Sequence, residues 1–176
     1  SLYTSDLERI TKLDARERDI SDFTGLEYCV NLWWLDLGIN DTSDISPLSS
    51  LTNLEEVYLG GNSISDISPL AGLAKLNELY LGDNNISDLS VLSGLNNLEW
   101  LSLTNNNISD ISVLAGLINL EGIHLTNNNI SDISALVENS LFAEGDTVWL
   151  LYNPLSTTSI DDYIPQLEAR GVIVTY

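Results

Sequence analysis

Leu51-Thr-Asn-Leu-Glu-Glu-Val-Tyr-Leu-Gly-Gly-Asn62 is followed, in the same phase, by Leu73-Ala-Lys-Leu-Asn-Glu-Leu-Tyr-Leu-Gly-Asp-Asn84. Further copies run from Leu95 to Asn106 and from Leu117 to Asn128, each 22 residues beyond the last. Stepping backwards gives Cys29 to Asn40, then Leu7 to Arg18. After Asn128 the next matching asparagine is Asn153, an offset of 25, so three extra residues fall near Glu138–Glu144. Seven turns of one motif therefore span nearly the whole chain. A fixed period of this length marks stacked units, none of which can bury its apolar face alone.

Each turn reads L-x-x-L-x-L-x-x-N-x-I, as in Leu98-Glu-Trp-Leu-Ser-Leu-Thr-Asn-Asn-Asn-Ile108. The alternation of Leu101 and Leu103 with other residues predicts a short strand buried on one face. Copies 22 residues apart do not return as hairpins, so they stack into a parallel sheet. The column Asn40, Asn62, Asn84, Asn106, Asn128 and Asn153 points inward. An amide there both donates and accepts, and can satisfy backbone groups that the bend leaves open. Arg18 holds that place in the first turn, so the ladder is expected to end there.

The second half of a turn, such as Ile108-Ser-Asp-Ile-Ser-Val-Leu114, is too short for a regular helix. Asp22, Asp44, Asp66, Asp88, Asp110 and Asp132 form one column, each expected to cap a short turn through a backbone N–H. Pro47 and Pro69 support two of these turns. Carboxylates about 5 Å apart repel by roughly 0.8 kcal/mol per pair in water, which capping bonds of about 1 kcal/mol offset. A calcium row is the competing reading, but the mixed carbonyl and bidentate spacing of a calcium loop is missing. No metal is expected.

These turns resemble the 22-residue leucine-rich repeats of bacterial internalin-like proteins, over about residues 7–155. The resemblance implies an α/β leucine-rich-repeat solenoid: a parallel β-sheet on the concave face, short 3-10 turns on the convex face and helical end caps. It also implies a bacterial origin and an extracellular or cell-surface parent. No sorting motif, appended domain or complete N-terminal helical cap accompanies the repeats, so the parent is expected to be longer. The division reads as an N-terminal cap and degenerate first repeat (1–28), 22-residue repeats (29–138), and a last repeat with C-terminal cap (139–176). Ser5-Asp6-Leu7-Glu8 has the spacing of a capping box for a short first helix. Ser159 to Arg170 reads as a helix begun by Ser159, interrupted at Pro165 and stopped by Gly171, with Val172-Ile-Val174 as a last strand.

Charge narrows the partners. Asp and Glu number 26 against six Lys and Arg, a net charge of −20. Such a field repels phosphates, so nucleic acid and anionic headgroups are poor candidate partners, and no nucleic acid is expected. No apolar run approaches the roughly 18 residues of a membrane span, and membrane insertion is not expected. The single cysteine, Cys29, stands in a leucine column and reads as a buried structural thiol. One histidine, no nucleophile beside a base, no Gly-rich phosphate loop and no Cys/His metal spacing argue against an enzyme or a cofactor.

Function must then lie at the exposed strand positions. One column collects Lys12, Trp34, Glu56, Glu78, Trp100, Gly122 and Thr147; the next collects Asp14, Asp36, Tyr58, Tyr80, Ser102, His124 and Trp149. Beside them run the glycines Gly38, Gly60 and Gly82, then Asp83 and Tyr152. Strands about 4.8 Å apart would join Trp34, Tyr58, Tyr80, Trp100, His124, Trp149 and Tyr152 into a near-continuous aromatic path, with Asp36, Glu56 and Glu78 alongside. Trp33 is expected at the sheet edge. Tyr and Trp give large contact area at low entropic cost, which favours protein binding through this face, to a partner with a basic patch. Stacked rings beside carboxylates also suit sugars, and a spacer role or simple cross-strand packing would need no partner.

Overall fold

A computed structural model describes residues 4–176, with side chains from Asp6 onward. Eight strands form one open sheet in chain order: β1 Lys12–Asp14, β2 Trp34–Asp36, β3 Glu56–Tyr58, β4 Glu78–Tyr80, β5 Trp100–Ser102, β6 Gly122–His124, β7 Thr147–Trp149 and β8 Ile173–Thr175. All neighbouring pairs are parallel and pair equivalent repeat positions, Trp34 with Glu56 and Tyr58 with Tyr80. A register kept through the array stacks like on like, so each sequence column becomes a physical row.

The inward strand residues Leu35, Val57, Leu79, Leu101, Ile123 and Val148 are buried, as are the leucines on either side of the strands. Cys29 lies in this core, and burial pushes its thiol pKa up. On the opposite side, 3-10 turns run over Ser46–Ser50, Ser68–Leu70, Ser90–Gly94 and Ser112–Gly116. Just before each one an aspartate carboxylate accepts the backbone N–H two residues on: Ser46, Ser68, Ser90 and Ser112 at 2.8 Å. Asp22 and Asp132 repeat that bond to Thr24 and Ser134, also at 2.8 Å, so all six are turn caps.

The asparagine ladder is built as its chemistry demands. Asn84 Nδ2 donates to the carbonyls of Leu81 and, one turn back, Leu59, both at 3.1 Å, while its Oδ1 accepts from Ile64 N at 3.0 Å. Asn106 and Asn128 do the same one and two turns later. The ladder ends at Asn40, whose Oδ1 takes the Arg18 and Ile20 amides at 3.2 and 2.9 Å.

The ends depart from expectation in two places. The sixth turn carries an α-helix, α2 (Ser134–Glu138), in place of a 3-10 turn. The three extra residues allow it, and buried Asn139 pins them by donating to Leu114 and Leu117 O at 3.1 and 2.9 Å. Arg170 then covers the end of α2, its guanidinium donating to Val137 and Asn139 carbonyls. Ser159 does not start the C-terminal helix: the chain is helical from Thr157. Ser156 is the cap, its Oγ accepting Ser159 N at 3.1 Å, while buried Ser159 donates its hydroxyl to Ser131 O at 2.8 Å. A π turn over Ser159–Tyr163 precedes α3 (Ile164–Glu168), where Pro165 lacks the N–H an ordinary turn would use. Gly171, at φ +87°, ends the helix where a Cβ would also press on Glu144 Cα at 2.9 Å. A short first helix, α1, covers Thr4–Leu7; the Ser5 capping side chain lies outside the described residues.

Candidate binding face

The outward strand columns lie on the open sheet, and most of their side chains are half-buried, held by their neighbours and open on one side. Trp34 tilts against Tyr58 with centroids 5.6 Å apart, and Tyr58 stacks on Tyr80 at 4.5 Å and 7°. Lys12 Nζ stands 4.0 Å from the Trp33 ring centre and 5.9 Å from that of Trp34, closing this row with a cation–π contact. A second group stacks His124 on Trp149 at 3.7 Å.

Glu78 organises the first group. The Tyr80 hydroxyl donates to its Oε2 at 3.1 Å, and Tyr58 shares its one proton between the same oxygen at 3.2 Å and Glu56 Oε2 at 3.3 Å. Burial first, then the carboxylates, raises both phenol pKa values, Tyr80 to about 12. Both rings therefore remain neutral donors near pH 7, each turned to a carboxylate. Burial lowers the His124 pKa, which keeps that imidazole neutral and able to stack.

The aromatic path is thus two groups, not one. Ser102 stands between Tyr80 and His124 in the ring row. Trp100 does not bridge them: its ring packs over Gly122, where a Cβ would meet ring carbons at 2.4–2.8 Å. Periodicity sets which face a side chain is on but not which way it folds down, and a missing side chain on the next strand decided it here. Tyr152 is on the rim, 79% exposed and backbone-strained at φ 59°, and among the described residues it has no ring contact. Asp36 faces its own turn, Oδ1 accepting Gly38 N at 2.8 Å, with Arg16 4.0 Å away. Gly60 and Gly82 sit close under the next turn's carbonyl, 3.2 and 3.4 Å from where their Cβ atoms would stand, so they serve backbone packing as well as leaving the face low. Trp33 is on the flank as expected, beside a shallow hollow of about 700 Å³ shared with Arg9, Asn53 and Lys75.

One row, and the backbone conformation of another, escaped the sequence reading although their spacing was present in it. Asn31, Asn53, Asn97 and Asn119 donate to carbonyls 23 residues earlier, at 2.7–3.0 Å, forming a second, exposed ladder. The residues before the inner ladder, Ile39, Gly61, Asp83, Asn105, Asn127 and Tyr152, all have φ between 52° and 69°. That left-handed row explains its Gly, Asp and Asn, and Asn127, Asn105 and Asp83 link side chains along it at 2.8 and 2.6 Å. Among the described residues no group of three or more His, Cys, Asp or Glu is placed to hold a metal ion.

The leucine-rich-repeat family, described by paired repeat copies, matches residues 30–72, 52–94 and 96–138. The fold is also that of internalin C2 from Listeria monocytogenes, at 34% identity and a TM-score of 0.74 over 99% of this chain and 84% of that one. The chain is a bacterial leucine-rich-repeat protein of the internalin type. A second Listeria monocytogenes internalin, InlF, shares 31% identity and a TM-score of 0.72 over 98% of this chain, which spans only 56% of that one. A leucine-rich-repeat protein of Leptospira interrogans shares the fold alone, at 22% identity and a TM-score of 0.66, over 86% of this chain and 44% of that one. No curated protein matches the sequence. Such an internalin-type array is consistent with a protein-interaction module.

Proposed function

We propose that this internalin-type array is a non-catalytic binding module that grips a protein of positive potential through its concave face, centred on Tyr58, Tyr80 and Glu78. One observation carries the reading: two tyrosine hydroxyls converge on a single carboxylate within a stacked ring wall. The hydrogen bonds fix the rings before a partner arrives, which lowers the entropic cost of using them as anchors. The negative charge they surround belongs to a chain of net charge −20, which would steer a basic partner.

Sugar recognition is less well supported. A sugar ring needs a broad open aromatic face, and the parallel Tyr58 and Tyr80 rings at 4.5 Å cover each other's facing sides, leaving Tyr80 open only toward the narrow gap at Ser102. The partner is therefore taken to be a protein and the parent to act outside the cell or at its surface, as the internalin likeness implies. Among the described residues no helix is long and apolar enough to cross a membrane.

The test is capture of partners from the native environment alongside a glycan array, followed by affinity measurements on variants. Tyr80→Ala and Trp100→Ala should weaken a captured protein at least about tenfold, as truncated aromatic anchors do. Glu78→Lys should mainly slow association and flatten its salt dependence. Normal binding by both ring variants, with loss on changing Ser90 or Ser112 on the convex side, would assign function to the other face. A strong glycan signal abolished by the ring variants would replace protein with sugar.

A further inference from the structure

We propose that the break in the ring row at Ser102 is a slot for one arginine side chain of the partner. The inference rests on the concave binding reading and specifies one subsite within it.

Along β3 to β7 the second outward column runs Tyr58, Tyr80, Ser102, His124, Trp149. Rings meet at 4.5 Å on one side of the serine and at 3.7 Å on the other. Tyr80 and His124 are two strand steps apart, about 9.6 Å at the backbone. Scaled from the centroid spacings of 4.5 Å on one side and 3.7 Å on the other, two strand steps come to roughly 8 Å at ring height. A flat group in contact on both faces needs about 3.5–4.0 Å on each side. The gap thus accepts one planar layer, and a guest there would join Tyr58–Tyr80 to His124–Trp149 as a single stack. A hollow of about 160 Å³ stands at this point, lined by Tyr80, Trp100, Leu101, Ser102 and His124. Gly82 lies beside Ser102, and a Cβ there would stand 3.7 Å from its Oγ.

Charge selects among planar guests. Glu78 pairs in register with Trp100, one wall of the hollow, and its Oε2 holds the Tyr80 hydroxyl at 3.1 Å. A neutral aromatic ring would fill the gap but leave that carboxylate unanswered. An ammonium would answer it but cannot stack flat on two faces. A guanidinium does both, its flat face against the rings and its positive charge beside the wall that Glu78 holds through Tyr80.

The experiment uses the whole chain and acetyl-Gly-Arg-Gly-amide as probe, with the citrulline and phenylalanine counterparts as comparisons. The arginine peptide should give a saturable shift of the His124 imidazole and Ser102 amide resonances. The citrulline peptide, equally flat but uncharged, should bind about tenfold more weakly, the worth of one partly desolvated cation–π and ion contact. Ser102→Phe, which completes the row from within, should abolish the response, while Ser102→Ala should keep it. If the bulky variant unfolds, Glu78→Gln reads the same subsite: it should weaken the arginine peptide and leave citrulline unchanged. No saturable shift, equal binding of citrulline, or tighter binding of phenylalanine would overturn the slot. A captured protein partner that loses affinity in Tyr58→Ala yet ignores Ser102→Phe would also overturn it while leaving the concave reading intact; indifference to both would overturn the two together.

Discussion

Replacing two asparagines of the inner ladder should cost more than the sum of the single replacements, but only when they are neighbours. Asn106 is 8% exposed. Its Oδ1 takes the Ile86 N–H at 2.9 Å, and its Nδ2 serves Leu81 O at 3.0 Å and Leu103 O at 3.1 Å. In Asn106→Ala the Ile86 N–H is left open, at about 1–3 kcal/mol for a buried donor. The two carbonyls suffer less, because each keeps a second amide: Asn84 still donates to Leu81 O and Asn128 to Leu103 O. Removing Asn84 as well takes away the remaining donor to Leu81 O. That adds about 1–2 kcal/mol beyond the two singles. Asn84 and Asn128 share no carbonyl, since one serves Leu59 and Leu81 and the other Leu103 and Leu125, so that double should be additive. Equilibrium urea unfolding of the singles and both doubles measures this, with trimethylamine oxide present to keep the weakest variant folded. The slope of each transition must stay constant for the energies to compare, as repeat arrays can lose cooperativity. Equal, additive losses in the two doubles would refute shared acceptance, and single losses below about 0.3 kcal/mol would deny the ladder its burial.

Ile39 holds a left-handed conformation at φ 52° that costs a β-branched residue about 1–2 kcal/mol, so Ile39→Asn should raise the melting temperature by a few degrees; no rise would show the strain is relaxed. Asp66, Asp88 and Asp110 have carboxyl pKa values below the usual 3.8 because they accept Ser68, Ser90 and Ser112 amides. Their stabilising effect is therefore complete above pH 3.8 and lost as pH falls through the lowered values, so the triple alanine variant should show a flatter acid limb, and calcium should leave the melting temperature of the parent unchanged. A large calcium-dependent rise abolished by that variant would make the row a metal site. Gly122→Ala should lift Trp100 off its seat at a cost of about 1–3 kcal/mol, visible as altered near-ultraviolet dichroism; an unaltered spectrum would mean the ring rests elsewhere.

The fold was legible because every turn repeats the same physical problem and solves it with the same residue. A leucine at a fixed phase is a buried leucine, and an asparagine facing a bend with open carbonyls has one place to put its amide. Where the period broke, local chemistry took over and the sequence misled. Ser159 has the look of a helix cap, yet the extra residues before β7 let Ser131 offer a carbonyl to it and passed the cap to Ser156. Ile39 and Tyr152 concealed the left-handed row by breaking its Gly, Asp and Asn character at two turns.

The face obeys a different logic from the core. A column position states that a side chain leaves the sheet outward; the rotamer depends on what the next strand puts beside it. Tyr58 and Tyr80 stand up because each has a ring for a neighbour and a carboxylate to bond. Trp100 lies down because Gly122 offers it a floor, and the same fold-down leaves Ser102 flanked by Tyr80 and His124 in its own row. The two smallest outward residues on β5 and β6 therefore do what no aromatic residue could: they turn a row of rings into two walls with a space between them. A solenoid can vary these positions turn by turn at little cost to its core, since Leu101 and Ile123 beneath them stay buried whichever side chains stand above.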